Sequence, residues 1–475
     1  MMGRWRLEGR SRHNRHMQRR VFWIGLLTSL IVARLCHWRV LWVEEGYPLA
    51  AAREMLAGKT LYRDIWFDKP PLSAAVYALF GAPDGLWLRL LGAGFCLLAA
   101  WAAARAARRF WGEREAYWAA GLMAFFLTFD THSAVLALTP DLLIVPLQCA
   151  AIGLAAAGLP FWAGLCAGVA FGFNTKAILI LAACLLWQWK RAPRLLAGFA
   201  VPVALVSFWL MSTGAWGGYI QQVWVWGAAY ARESLYVQPW YEGARRTAAW
   251  GGFHFALVAG ALVASWKKQD DWRWALWMML SFVGVGLGLR FFPRYYFHLL
   301  PVFVLLAARG YALLPRRWAI GMAMLLLIPL VRYGPRYVSV ARGEKWADLA
   351  MFESSQRTAA ELKRQARPTD ALLVWGYRPD LFVLSGLPAA TRYLDSQPLT
   401  GVIADRHLID LKMTYPELAR RNREQLMREP PPAWIADGLG PYNPWLGPTR
   451  LMPALMRQYE LVFETPGFRL YRLRG

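Results

Sequence analysis

Two acidic residues, Glu44 and Glu45, stand side by side directly after the first long apolar run of the chain. A polar stretch later, Asp68-Lys69-Pro70-Pro71 stands directly before the next apolar run. Adjacent carboxylates at a helix end repel each other. That repulsion suits one of them to take up a proton as a general base. A solvated acidic rim at the end of a span is the plainer reading. Lys69 is a compact point charge for a phosphate beside a rigid Pro-Pro, although proline also starts helices. Three more segments carry similar groups. Thr139-Pro140-Asp141 offers either a helix cap or a second acid. Asn174-Thr175-Lys176 is a lone basic turn. Arg290 to His298 places Arg294, Tyr295 and His298 among aromatic residues. That last segment reads as an interfacial aromatic belt or as one wall of a phosphate site. The histidines form no HxxxH pair there, so a zinc site is not indicated.

These segments need apolar elements to hold them. Of the 475 residues, 57% are hydrophobic and 18% charged, and 27 are tryptophan. The apolar residues fall in long runs, so the chain reads as a polytopic α-helical membrane protein. About eleven spans are expected, centred on 21–42, 86–107, 116–130, 141–158, 161–174, 176–189, 195–212, 247–265, 274–290, 298–314 and 318–333. The first is read as uncleaved, since no small-residue cleavage pattern follows it. The formal charge of +24 does not point to nucleic acid, because the basic residues cluster at the ends of the runs. With residues 1–20 cytoplasmic, the inner segments hold 20 Lys and Arg and the outer ones 10. This asymmetry puts the N-terminus inside. The five motifs then share the outer side, with the first outer loop at 43–85 and the transmembrane domain at 21–344. Arg34, Arg39 and Arg89 lie inside spans near that side. They either snorkel or line a cavity for an anionic head group. The five cysteines all lie in apolar runs, so no disulfide framework is indicated.

From 345 to 475 charge becomes frequent and the apolar runs shorten to strand length. A soluble, extracytoplasmic α/β domain is expected there. Its helices are expected at Phe352–Ala366, Asp380–Ser385 and Arg406–Arg428. Its strands are expected at Ala371–Gly376, Ala390–Leu394 and Pro432–Ala436, and a terminal hairpin turns on Pro466-Gly467.

Glu44-Glu45-Gly46-Tyr47, Leu61-Tyr62-Arg63-Asp64 and Asp68-Lys69-Pro70-Pro71-Leu72 resemble the first outer loop of the family 39-like membrane glycosyltransferases. These are bacterial relatives of protein O-mannosyltransferases and of the lipid A aminoarabinose transferase, with the C-type (GT-C) architecture. Thr139-Pro140-Asp141, Lys176 and Arg294-Tyr295-Tyr296-Phe297-His298 resemble later landmarks of that family, as do Val374-Trp375-Gly376-Tyr377 and Thr391-Arg392-Tyr393 in the tail. The resemblance implies transfer of a sugar from a polyprenyl-phosphate carrier to a glycan, lipid or protein acceptor, at the outer face of a bacterial inner membrane. It makes Glu44 the catalytic carboxylate, Glu45 its acidic neighbour and Asp141 a second carboxylate. It makes Lys69, Lys176 and Arg294 the donor-phosphate cations. Tyr47, Arg63, Asp68, Tyr295 and His298 complete the outer cavity. Glu44 stands where the family usually has Asp. No metal site is demanded, although a divalent ion between Glu44 and Asp141 is compatible with the acids. The alternative is a non-catalytic binder or a transporter of lipid-linked sugar.

Overall fold

The computed structural model describes residues 2–129, 137–267, 271–344 and 349–475, with the side chains of 2–16 and of residue 405 outside the described set. Residues 130–136, between two expected spans, and residue 345, where the C-terminal domain is expected to begin, fall outside it. The chain is mostly helical. Among the described residues nine α-helices open it: α1 (Met2–Leu35), α2 (Val43–Leu56), α3 (Leu72–Leu79), α4 (Gly85–Phe110), α5 (Glu113–Phe126), α6 (Pro140–Ala156), α7 (Pro160–Phe173), α8 (Ile178–Gln188) and α9 (Ala192–Ser212). Further on come Pro239–Phe253, Phe255–Trp266, Trp272–Gly286, Leu300–Leu313, Arg316–Ala323 and Leu327–Ala341.

Helix stands at each of the eleven apolar runs. Length and apolarity alone qualify three helical stretches for crossing a membrane: Gly85–Phe110, Thr175–Ser212 and Arg316–Ala341. A fourth is the pair Pro239–Phe253 and Phe255–Trp266, bent by 85° at His254. The runs expected as separate spans at 176–189 and 195–212 lie within one helical stretch of 38 residues, with a 3-10 turn at Trp189–Arg191. A turn of that kind keeps the backbone hydrogen-bonded across a sequence break. Helices α7 and α9 pack backbone to backbone. A Cβ added at Gly164 would fall 1.9 Å from the Leu195 carbonyl oxygen. Small residues permit such close approach between apolar helices.

The chain from Leu349 onward builds a four-stranded sheet in the order β1-β2-β4-β3. Here β1 is Leu372–Trp375, β2 Trp434–Asp437, β3 Tyr459–Thr465 and β4 Phe468–Leu473. β1 and β2 run parallel, β4 is antiparallel to β2, and β3 and β4 form the expected hairpin. Helices Ala350–Gln365 and Asp380–Ser385 also match the expectation. Two expectations fail. Ala390–Leu394 is no strand; it makes one isolated bridge, Tyr393 to Trp66. Of Arg406–Arg428, only Pro416–Leu426 is α-helix, because Pro416 starts it at the first helical position. The core is shared rather than split. Buried residues of α2 and the first loop, such as Leu49 and Phe67, join one continuous cluster with Leu372, Trp434 and Phe468.

Candidate functional site

α2 begins with Glu44 and Glu45 in its first turn, where carboxylates favour the positive end of the helix dipole. The two point to different surroundings. Glu44 is about one-quarter exposed and its Oε1 lies 3.2 Å from Nη1 of Arg294. Glu45 is fully buried. Its Oε1 accepts from Arg89 Nη1 at 2.9 Å and from the Leu138 amide at 2.6 Å, and its Oε2 accepts from Arg89 Nη2 at 2.6 Å. Arg89 also bonds the Val40 carbonyl at 3.0 Å. Glu45 therefore ties α2 to α4 and to the segment before α6, and its acceptor sites are filled by donors. Arg89 is buried and turned toward Glu45 rather than snorkelling. Arg34 likewise turns inward, donating to Cys96 Sγ at 3.1 Å. Arg39 is exposed, with its guanidinium over the Trp38 ring.

The other end of the first loop is held by a strained turn. Tyr62 has φ 67°, a left-handed conformation costly for a bulky residue. Its carbonyl accepts from Gln222 Nε2 at 2.8 Å and from Arg392 Nη2 at 2.9 Å. Its hydroxyl donates to the Lys69 carbonyl at 2.7 Å. Lys69 pairs with Asp68 at 3.1 Å and sits 5.7 Å over the Tyr230 ring. Asp68 is nearly buried, and its Oδ1 has no hydrogen-bond partner among the described residues. Tyr47 stacks on Phe67 at 5.0 Å and accepts from the Asp68 amide. Arg63 leaves this group. It is half exposed, pairs with the neighbouring Asp64 and reaches the Thr213 carbonyl.

Asp141 is buried at the start of α6. Thr139, not Asp141, caps that helix, accepting from the Leu142 amide. The Asp141 Oδ1 accepts from Asn174 Nδ2 at 2.8 Å and lies 3.7 Å from His298 Nε2, an electrostatic contact too long for a hydrogen bond. Asn174 adopts that position by capping the 3-10 turn that carries Lys176. Lys176 donates to the Gly284 carbonyl at 2.9 Å and stands 3.5 Å over the Tyr295 ring. Arg294 also lies over the Phe292 and Tyr295 rings. Leu289 and Phe291 hold positive φ on either side of Arg290, whose guanidinium is 3.5 Å over the Tyr230 ring. Lys69, Arg290, Arg294 and Asp141 all lie within electrostatic reach of Lys176. The structure thus brings together Glu44, Asp141, Lys69, Lys176, Arg294, Tyr47, Asp68, Tyr295 and His298.

Sequence reading overlooked Asp395 as a member. It is buried, and burial followed by the charge of Asp68 pushes its carboxyl up to about 7. The only signal was its place two residues after Tyr393. Arg290 and Asn174 stood in quoted segments without a role. Glu44 and Asp141 are each engaged by other side chains. Among the described residues, no group of three or more His, Cys, Asp or Glu could hold a metal ion.

No family profile matches the chain, and no curated protein sequence matches it. Solved structures do. The crystal structure of ArnT from Cupriavidus metallidurans bound to undecaprenyl phosphate superposes with a TM-score of 0.63 at 16% identity, over 95% of this chain and 97% of that one. The fold is that of ArnT. The apo state of the same protein gives 0.59 at 15% identity, over 96% and 98% of the two chains. The oligosaccharyltransferase AglB from Archaeoglobus fulgidus, in complex with an inhibitory peptide and a dolichol-phosphate, gives 0.49 at 11% identity, over 96% and 74%. The likeness to ArnT agrees with the fold that the first-loop motifs imply.

Proposed function

We propose that this protein is a glycosyltransferase that moves a sugar from a polyprenyl-phosphate carrier to an acceptor on the outer face of a bacterial inner membrane. The observation that carries the reading is the Glu44–Arg294 pair. It sets a candidate base directly beside the cation cluster of Lys69, Lys176 and Arg294, in an ArnT-like fold. In that neighbouring structure the bound lipid is undecaprenyl phosphate, and a lipid of this kind is the donor carrier proposed here. The chain crosses the membrane eleven times in this reading. Its N-terminus is cytoplasmic and residues 345–475 form an extracytoplasmic domain.

The chemistry balances as a single displacement. An acceptor hydroxyl oxygen attacks the anomeric carbon and passes its proton to Glu44. The bond from that carbon to the phosphate oxygen breaks, and its electron pair leaves with the polyprenyl phosphate. Lys69, Lys176 and Arg294 stabilise the charge that develops there. Asp141 is a positioning residue: with Asn174 it fixes the turn carrying Lys176. Glu44 spans one methylene more than Asp would, and that reach brings it to Arg294. As the phosphate forms, it competes for Arg294, which leaves the Glu44 carboxylate freer to accept the proton.

The test is an assay of the purified protein in lipid nanodiscs with polyprenyl-phosphate sugars. Glu44→Gln is expected to lower turnover roughly 10²- to 10⁴-fold, the usual contribution of a general base. Lys69→Ala is expected to raise the donor KM. Full activity in both Glu44→Gln and Asp141→Asn overturns the assignment. Donor binding without any turnover by the unaltered protein would favour a carrier-binding or transport role.

A further inference from the structure

A cavity of about 390 Å³ opens between the start of α2 and the C-terminal segment. That size falls in the range of small-molecule sites, roughly 300–1,000 Å³. Glu44 lies on its wall, so whatever fills it meets the candidate base. Its lining is mostly apolar and includes Trp42, Phe352 and Tyr377. The C-terminal segment adds three polar side chains, Arg378, Asp380 and His407, each at least 97% buried. Each keeps one polar atom without a hydrogen-bond partner among the described residues: Arg378 Nη1, Asp380 Oδ1 and His407 Nδ1. Buried polar atoms are normally paired, and leaving one unpaired costs about 1–3 kcal/mol. The three side chains line one cavity.

Their other atoms are fixed. Arg378 Nη2 donates to the Met351 carbonyl and to Ser355 Oγ, and its guanidinium lies over the Phe468 ring. Arg378 Nε lies 3.5 Å from Asp380 Oδ1, an ion-pair contact that leaves the oxygen available. His407 Nε2 is bonded to Thr400 Oγ1 at 2.8 Å. Burial pushes His407 down to about 3, so the ring is neutral. The set carries one cation, one anion and one neutral ring, and so has no preference for a charged head group. It combines a donor, an acceptor and a ring nitrogen that can serve as either, around aromatic faces. A saccharide matches this lining: its hydroxyls both donate and accept, and its C–H face packs on aromatic rings. A lipid tail would leave all three polar atoms unpaired.

We propose that this cavity is the acceptor site and that it takes the terminal sugar of a glycan, with Arg378, Asp380 and His407 as its specificity-determining residues. This rests on the transferase reading, since it gives Glu44 a saccharide hydroxyl to deprotonate.

The test uses the full-length protein in nanodiscs and saturation-transfer NMR with a panel of methyl glycosides. A serine/threonine peptide and a short-chain phospholipid serve as the competing probes. Expected is saturation transfer to at least one glycoside, reduced at least fivefold in Asp380→Asn. Leu408, exposed and lining the same cavity, supplies a second variant that spares the buried polar network: Leu408→Trp narrows the space and is expected to give the same loss. Equal signals in the unaltered protein and both variants overturn the proposal. So do signals from the peptide or phospholipid alone. Hydrolysis of the lipid-linked donor is measured separately. A protein that binds glycosides in the cavity but cleaves no donor overturns the transferase reading and leaves the saccharide site standing.

Discussion

Glu45 and Arg89 carry opposite charges in a fully buried pair with bidentate geometry. Removing one partner strands the other charge, which costs about 3–5 kcal/mol. Arg89→Ala is therefore expected to abolish stable folding or to lower the melting temperature strongly in a detergent thermal-shift assay. Arg39→Ala, at an exposed cation, is expected to leave it unchanged. Equal melting of the two variants would refute the structural role given to Glu45. From their spacing alone the two glutamates were equivalent candidates, because adjacency says nothing about which side of a helix meets a buried arginine 44 residues later. Asp395 supplies a pH dependence. Its ordinary value is 3.8, and in the folded chain it is raised to about 7 by burial and by Asp68, with Lys69 opposing. Between those values the folded state holds a proton that the unfolded state has lost. Stability therefore falls as pH rises from about 4 to about 7 and levels off above. Asp395→Asn is expected to flatten that slope in melting temperature against pH and to raise stability at pH 8. An unchanged slope would remove Asp395 as its source.

At the scale of elements, helices were legible because long apolar runs with terminal charge have few other folded states. Asp380–Ser385 and the terminal hairpin were legible from their turn residues, Gly386 and Pro466-Gly467. Ala390–Leu394 was not, since its backbone pairs with the first loop. The Trp66 amide donates to the Arg392 carbonyl at 2.7 Å, a contact between segments more than 300 residues apart. The same docking explains Gly46. A Cβ there would lie 2.9 Å from the Asp380 amide nitrogen, a backbone atom that cannot swing aside. Gly46→Ala is expected to cost about 1–3 kcal/mol through overpacking. It should also make the chain after Leu349 more sensitive to limited proteolysis while the membrane helices stay protected. Unaltered cleavage of that segment would show that the close approach is not needed for docking.

For the whole molecule, the sequence pointed to candidate cations and acids but not to how the C-terminal segment packs on the loop that carries some of them. An isolated α/β domain is the natural reading of its composition, whereas its core is continuous with the first loop. Arg392 holds the Tyr62 carbonyl, and Tyr62 in turn holds the Lys69 carbonyl. The Ala389 amide donates to buried Glu54, and Lys59 donates to the Ala389 carbonyl. Removing residues 345–475 takes one partner from each of these groups, leaving the Tyr62 carbonyl with Gln222 Nε2 and Glu54 with Lys59. The Lys69 turn then loses one of the two side-chain donors that hold the Tyr62 carbonyl in its strained conformation. The truncated chain is expected to insert in the membrane yet cleave a polyprenyl-phosphate sugar at least 100-fold more slowly than the full chain, even without an acceptor. Arg392→Met, which keeps the bulk and removes the donor, is expected to fall between the two. Donor cleavage by the truncated chain at the full rate would mean that the first loop holds the phosphate cations by itself, and would confine the C-terminal segment to the acceptor.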